Sequence, residues 1–334
     1  MQQGPNTVPS QTNDGGFMSR FETGIGLGLS LLLLMSAGVG KAATLSVNCA
    51  AKEGLHSIGA ALKVLQNGEG HSSSTINVSG ACHENVVIQS LDRVTLTAVN
   101  GASVTDASGG TLDVINIEDS RDVAINGFTI NAGSGNGING ITCGDFSLCR
   151  LSGNLIQGAT LGAGFGVFGG AEASVDGDTF QNNGTGLQSN SGSKVRTGGQ
   201  GRPITSKGNG SGIRAVRQGY VFLQATVENN SEVGVWVAFH STVELSGSTI
   251  SHNAPGLGVF VWESSSARFT GGTSITNNAG SGVVIQDLSM VLFDTTTVTG
   301  NAPGADVVCA DKFPATRGVG DTGGLTNCVE PNNL

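Results

Sequence analysis

Thr226-Val-Glu-Asn-Asn-Ser-Glu-Val-Gly-Val235 is the stretch that decides the fold, because the chain keeps returning to it. An earlier version reads Thr179-Phe-Gln-Asn-Asn-Gly-Thr-Gly-Leu187, and later ones read Thr249-Ile-Ser-His-Asn253, Ser274-Ile-Thr-Asn-Asn278 and Thr297-Val-Thr-Gly-Asn301. A short β-branched unit recurring at a fixed period is the signature of a solenoid, in which each coil packs only on its neighbours. The turn asparagines Asn183, Asn209, Asn230, Asn253, Asn278 and Asn301 follow one another at intervals of 21 to 26 residues. Stacked asparagines bond in a ladder and satisfy turn backbone groups that burial would leave unpaired. The Asn-x-Ser/Thr matches at Asn183, Asn209 and Asn229 are read as ladder turns rather than glycan acceptors.

Within a coil, Thr242-Val-Glu-Leu, Ser248-Thr-Ile and, after a glycine, Gly258-Val-Phe-Val each alternate at period two. Three short strands per coil predict an all-β, right-handed, three-sided parallel β-helix of nine or ten coils. At about 4.8 Å per coil, it would be about 45 Å long. Strands at Thr75, Asn85, Val94, Val114 and Val123 extend the pattern towards the N-terminus. Leu55, Ile58, Ala61, Leu62 and Leu65 recur at helical spacing and predict a short helix capping the open end. The expected organisation is an N-terminal extension and signal peptide over 1–43, an N-terminal cap over 44–74, the β-helix over 75–308 and a disulfide-held C-terminal cap over 309–334.

Composition agrees with many strands and tight turns. Glycine supplies 54 of 334 residues and aromatics only 5%. The formal net charge of −9 argues against nucleic acid or an anionic membrane as a general partner. The charge is uneven, however: Thr179 to Val227 contains no Asp or Glu but holds Lys194, Arg196, Arg202, Lys207, Arg214 and Arg217.

Ile25 to Val39 is a 15-residue apolar run preceded by Arg20 and followed by Gly40-Lys41-Ala42. It reads as a secretory signal with Met18 as a candidate start, and a retained anchor is the alternative. The expected location is secreted or periplasmic, with no membrane contact once the signal is removed. Six cysteines follow it. Short loops favour Cys49 with Cys82, Cys143 with Cys149, and Cys309 with Cys328, other connectivities remaining open. No Cys-x-x-Cys pair or nearby histidine has zinc-ligand spacing, so neither a metal nor another cofactor is expected.

The repeat, the asparagine turns, the cap and the segment Ile76-Asn-Val-Ser-Gly-Ala-Cys-His-Glu-Asn-Val resemble bacterial right-handed β-helix proteins of the pectin-lyase-like superfamily. The resemblance spans roughly Thr44 to Cys309. It implies the fold and leaves the activity open, since the superfamily includes lyases, hydrolases, esterases and adhesins. The polygalacturonase motifs Asn-Thr-Asp, Asp-Asp, Gly-His-Gly and Arg-Ile-Lys are missing, as is the acid cluster with which pectate lyases hold calcium.

Few other constellations carry chemistry. Asp176 and Asp178 form the best acidic pair, read as a solvated turn around Gly177, and stacked acids on adjacent coils are not found. Glu244 and Arg268 occupy matching outward positions, a surface salt bridge. His56, His71, His83, His240 and His252 are scattered, which leaves no Ser-His-Asp or Cys-His arrangement. The outward positions of the third strand are more informative. Counting coils aligns Phe168, Gln188, Arg214, Trp236, Phe260 and Val284 in one column, with Trp262 at a strand end.

Rings in a row stack on sugar faces, and a basic belt holds carboxylates or sulfates. Arg214, Trp236, Phe260 and Trp262 are therefore the candidate ligand-binding residues, and an anionic polysaccharide is the favoured partner. The alternative is that another segment or subunit covers the rings. The functional expectation is a binding or surface-interaction protein rather than an enzyme. A divergent polysaccharide lyase or glycoside hydrolase is second, and an adhesive or structural solenoid without a glycan ligand is third. No catalytic residue is assigned, and the sequence does not specify the oligomeric state.

Overall fold

The computed structural model describes residues 42–67 and 73–310, with the backbone of Gly318–Val319. The signal segment, His71 and Cys328 lie outside these residues.

Every strand pairing is parallel, and each strand pairs with its counterpart one coil away. One face is a sheet of ten strands, beginning at Val86–Gln89 and ending at Val307–Cys309. The other two faces are built from series such as Glu172–Asp176, Lys194–Thr197 and Tyr220–Leu223, and Thr179–Gln181, Ile204–Lys207 and Ala225–Glu228. They count as one twenty-stranded sheet because the long strand Val94–Thr105 runs round the corner and pairs with both series. The three-sided parallel β-helix expected from the repeat is thus present.

The core is a stack of inward residues in columns, among them Leu187, Ile213, Val235, Val259 and Val283. Each is fully buried, and the alternation at period two that placed them inward follows from the strand pleat. The N-terminal end is closed by the helix Ile58–Asn67, which buries Ile58, Ala61, Leu62 and Leu65. The Ser57 hydroxyl accepts from the Ala60 N–H, and the two carboxylate oxygens of Glu84 accept from Ile58 and Gly59. Three of the orphan donors of the first turn are thereby satisfied. Disulfides join Cys49 to Cys82 and Cys143 to Cys149 as expected. Cys309 is also disulfide-bonded, and its expected partner Cys328 is outside the described residues.

The asparagine ladder runs unbroken. Each backbone N–H of Asn183, Asn209, Asn230, Asn253 and Asn278 donates to the side-chain oxygen of the next ladder asparagine, at 2.9–3.1 Å. Asp306 ends it by accepting from the Asn301 backbone and side chain. Asn229 does not belong to the ladder. It is exposed at φ 57°, and Asn230 beside it takes the buried place. The Asn-x-Ser match at Asn229 is therefore on the surface, whereas those at Asn183 and Asn209 are buried.

Two further ladders occupy the other corners. In one, the hydroxyls of Ser120, Ser147, Ser241, Ser265 and Ser289 accept backbone N–H bonds from the preceding coil. In the other, Asn154, Asp178, Ser248 and Thr273 do the same.

Candidate functional site

The first face carries the aromatic residues. Its strands hold register, pairing Gly166 with Gln188, Gln188 with Arg214, Arg214 with Trp236, Trp236 with Phe260 and Phe260 with Val284. This is the expected column with one correction: Gly166, not Phe168, holds its first position. Phe168 is two residues further on, and its ring lies 2.3 Å from where a Cβ on residue 166 would stand. A Cβ at 166 would require the ring to move. Phe168 falls into the adjacent column, in line with Asn190, Val216 and Ala238, and Trp262 continues it.

The rings touch. Trp236 and Phe260 are 6.2 Å apart between centroids and tilted by 51°, while Phe260 and Trp262 are 6.3 Å apart and nearly parallel. Phe239 meets Trp262 edge-on at 5.4 Å, and the Trp262 indole N–H donates to Asp287. The Arg214 guanidinium lies over the Trp236 ring, 4.4 Å from its centroid. All four candidate residues are half-buried and meet in one patch.

Arg214 is electrostatically uneasy. Burial lowers its pKa; the Glu232 carboxylate opposes that change and the nearby Arg217 adds to it. The Nε of Arg214 and the Nε1 of Trp236 are both buried without a hydrogen-bond partner. Such buried, unpaired donors are costly.

The basic belt is not a patch. Lys194 and Arg196 stand on the second face, Lys207 on the third and Arg217 at the corner after the first, so the belt winds round the coil. Lys194 pairs with Glu172 at 3.1 Å, and Arg202 grips Asp176 through Nε and Nη2 at 3.2 and 3.0 Å. Only Arg214 and Arg217 adjoin the aromatic patch.

The other acidic reading also changes. Asp176 and Asp178 flank a turn at Gly177, but neither is solvated, since both are buried. Burial pushes the Asp178 pKa up to about 6 against three bonds accepted from Asn154 and Asp176, and the Asp176 charge raises it too. Stacked acids do exist on adjacent coils: Glu263 and Asp287 occupy equivalent positions of successive left-handed turns. With His240, Ser264 and Leu288 they line an open cavity of about 520 Å³ next to Trp262. The sequence hid this pair because the turn residues vary from coil to coil.

Glu244 and Arg268 pair as expected, in register and at 3.2 Å. Among the described residues, the one group of three metal-ligating side chains is Cys49, Cys82 and Glu84. Its sulfurs are joined to each other and its carboxylate caps the helix. No described helix is long and apolar enough to cross a membrane.

The family described as "Right handed beta helix region" matches residues 203–316. No curated protein matches by sequence. The A-module of Azotobacter vinelandii mannuronan C-5 epimerase AlgE6 is similar in structure, with a TM-score of 0.58 and 13% identity over 75% of this chain and 74% of that one. The A-module of AlgE4 from the same organism gives a TM-score of 0.58 and 12% identity over 86% of this chain and 97% of that one. At such identities the likeness is one of fold. The chain is a right-handed parallel β-helix protein with the pectin-lyase-like architecture.

Proposed function

We propose that this protein binds an acidic polysaccharide along its first face, through Arg214, Trp236, Phe260 and Trp262. The observation that carries this reading is the assembly of both tryptophans of the chain, a phenylalanine and an arginine whose Nε is unpaired into one half-exposed patch. Aromatic rings offer apolar surface to the C–H faces of sugars, and a guanidinium recognises carboxylate or sulfate oxygens by paired, charge-assisted bonds. The epimerase modules of like fold act on mannuronan, a polyuronate, which makes that polymer a suitable first ligand. The disulfides of the fold suit an oxidising compartment, secreted or periplasmic.

The test is calorimetric titration of the protein with mannuronan and galacturonan oligosaccharides, alongside the double variant W236A/W262A. Affinity should fall by at least about tenfold in the variant, the loss of roughly 1.4 kcal/mol of ring contact. Equal affinity in parent and variant, or no binding by the parent, refutes the reading.

A second reading, polysaccharide modification, draws on the cavity where His240, Glu263 and Asp287 stand beside Trp262. It requires that the protein produce unsaturated or reducing ends, or invert a uronate centre, when incubated with those polymers.

A further inference from the structure

Trp236 is not free to stack on a sugar as it stands. Its ring lies between the Arg214 guanidinium, one coil before, and Phe260, one coil after. The Arg214 contact is a cation–π pair, yet it leaves Nε of Arg214 and Nε1 of Trp236 buried with no acceptor. Neighbouring charge gives Arg214 no full compensation either. Glu232 attracts it and also accepts from the Ser211 hydroxyl at 3.4 Å, while exposed Arg217 repels it.

We infer that Arg214 is a ligand-displaced cover. An oxyanion of the glycan draws the guanidinium off Trp236, and the uncovered ring then receives the sugar. This inference rests on the polysaccharide reading and adds the rule by which the site chooses. Acidic glycans open it because their carboxylate or sulfate supplies the acceptor that the guanidinium lacks in the closed arrangement. Neutral glycans have nothing to exchange for the cation–π contact and are excluded. Recognition of charge and stacking on Trp236 are then one event. Arg217 shares the anion, which gives binding a salt dependence.

The two tryptophans are separable, since W262F leaves Trp236 as the single indole. In that background, emission of Trp236 is followed during titration with oligogalacturonate, a sulfated oligosaccharide of equal length and a neutral oligosaccharide. The acidic ligands should shift the emission and the neutral one should not; comparing uronate with sulfate separates the two oxyanion sources.

R214A should reverse the preference. Acidic binding is expected to fall at least about tenfold, and the neutral ligand should now bind with a Trp236 response, because one charge-assisted contact is lost and one ring face is gained. R214K, which keeps the charge without the planar contact, should restore salt-dependent acidic binding and still admit the neutral ligand. R214Q and far-UV circular dichroism of each variant exclude misfolding as the cause.

Acidic binding that leaves Trp236 emission unchanged, or an R214A variant that binds neutral glycan no better than its parent, overturns the cover while leaving the polysaccharide reading intact. Absence of binding to every glycan refutes both.

Discussion

Asn230 and Asn229 are adjacent, chemically identical and expected to respond in opposite ways to substitution. Asn230 accepts from the backbone and side-chain nitrogens of Asn209 at 3.0 and 3.1 Å. It donates to the Ser206 carbonyl at 3.2 Å and to the Asn253 side chain at 2.9 Å. Asn209 keeps other partners for its side chain, and Asn253 keeps the Asn230 backbone N–H. In Asn230→Ala the group left buried and unpaired is therefore the Asn209 backbone N–H, because the Ser206 carbonyl keeps its place in the pairing with the strand Ala225–Glu228. At about 1–3 kcal/mol for a buried orphan, the variant should lose about 1–3 kcal/mol. Asn229 is exposed and its main service is to adopt φ 57°. Glycine adopts that conformation freely, so Asn229→Gly should cost under about 1 kcal/mol. Urea unfolding of the two variants and the parent, followed by circular dichroism, measures both values. Hydrogen exchange at Asn209 locates the damage, since that amide should lose protection in N230A alone. Similar midpoints for N230A and N229G would refute the ladder as a source of stability.

Two other outcomes follow from the same framework. The Asp178 carboxyl has a pKa near 6 when folded against 3.8 ordinarily, so the folded state holds a proton that the unfolded chain releases. The contribution of this group is favourable below pH 3.8 and is lost as pH rises through about 6, a swing of roughly 3 kcal/mol. Asp178→Asn removes the swing; if unfolding midpoints of parent and variant run parallel between pH 4 and 7.5, the buried-acid account is wrong. Gly258 lies where a Cβ would stand 2.5 Å from the Gly282 carbonyl oxygen and 2.8 Å from the Asn278 side-chain nitrogen. Gly258→Ala should cost about 1–3 kcal/mol, whereas exposed Gly199, with nothing near its Cβ position, should tolerate alanine with no loss of thermal midpoint.

The coil period, the inward columns and the asparagine ladder were legible because parallel stacking repeats one environment per coil, so the same residue type recurs at the same place. The serine ladder repeats as strictly, with Ser241, Ser265 and Ser289 at intervals of 24. It is hard to read from sequence because serine is also an ordinary residue of exposed turns. Phe168 was misplaced because counting from the turn cannot tell an outward ring from one that folds back over a glycine. The burial of Asp176 depends on Arg202, which lies 26 residues away in a loop of different length from its counterparts. Charge pairing of this kind leaves no trace in periodicity. The aromatic patch was legible as a column but not as a contact: register follows from the repeat, whereas the turn of Arg214 onto Trp236 follows from side-chain packing.

Two of the three corner ladders are interrupted at the coil that carries Arg214. Ile204 stands where the third ladder needs an acceptor side chain, in register between Asp178 and Ala225, and its N–H goes to the Gln224 carbonyl instead. Gly219 stands where the serine ladder needs a hydroxyl, and it can only donate, to Ser241. The same coil carries Arg214 and lies within the acid-free run. The asparagine ladder alone passes through it intact, from Asn183 through Asn209 to Asn230. That one ladder borders the first face, where Asn209 is followed by the strand Ser211–Val216 that presents Arg214. Two corners of the coil have thus been released from the repeat, while the corner that fixes the register of Arg214 against Trp236 has been kept. Ala171 and Ala225 interrupt the same two ladders in other coils, so these two corners tolerate a missing acceptor. The asparagine corner tolerates none from Asn183 to Asn301, and it is the corner that holds Arg214 in register with Trp236.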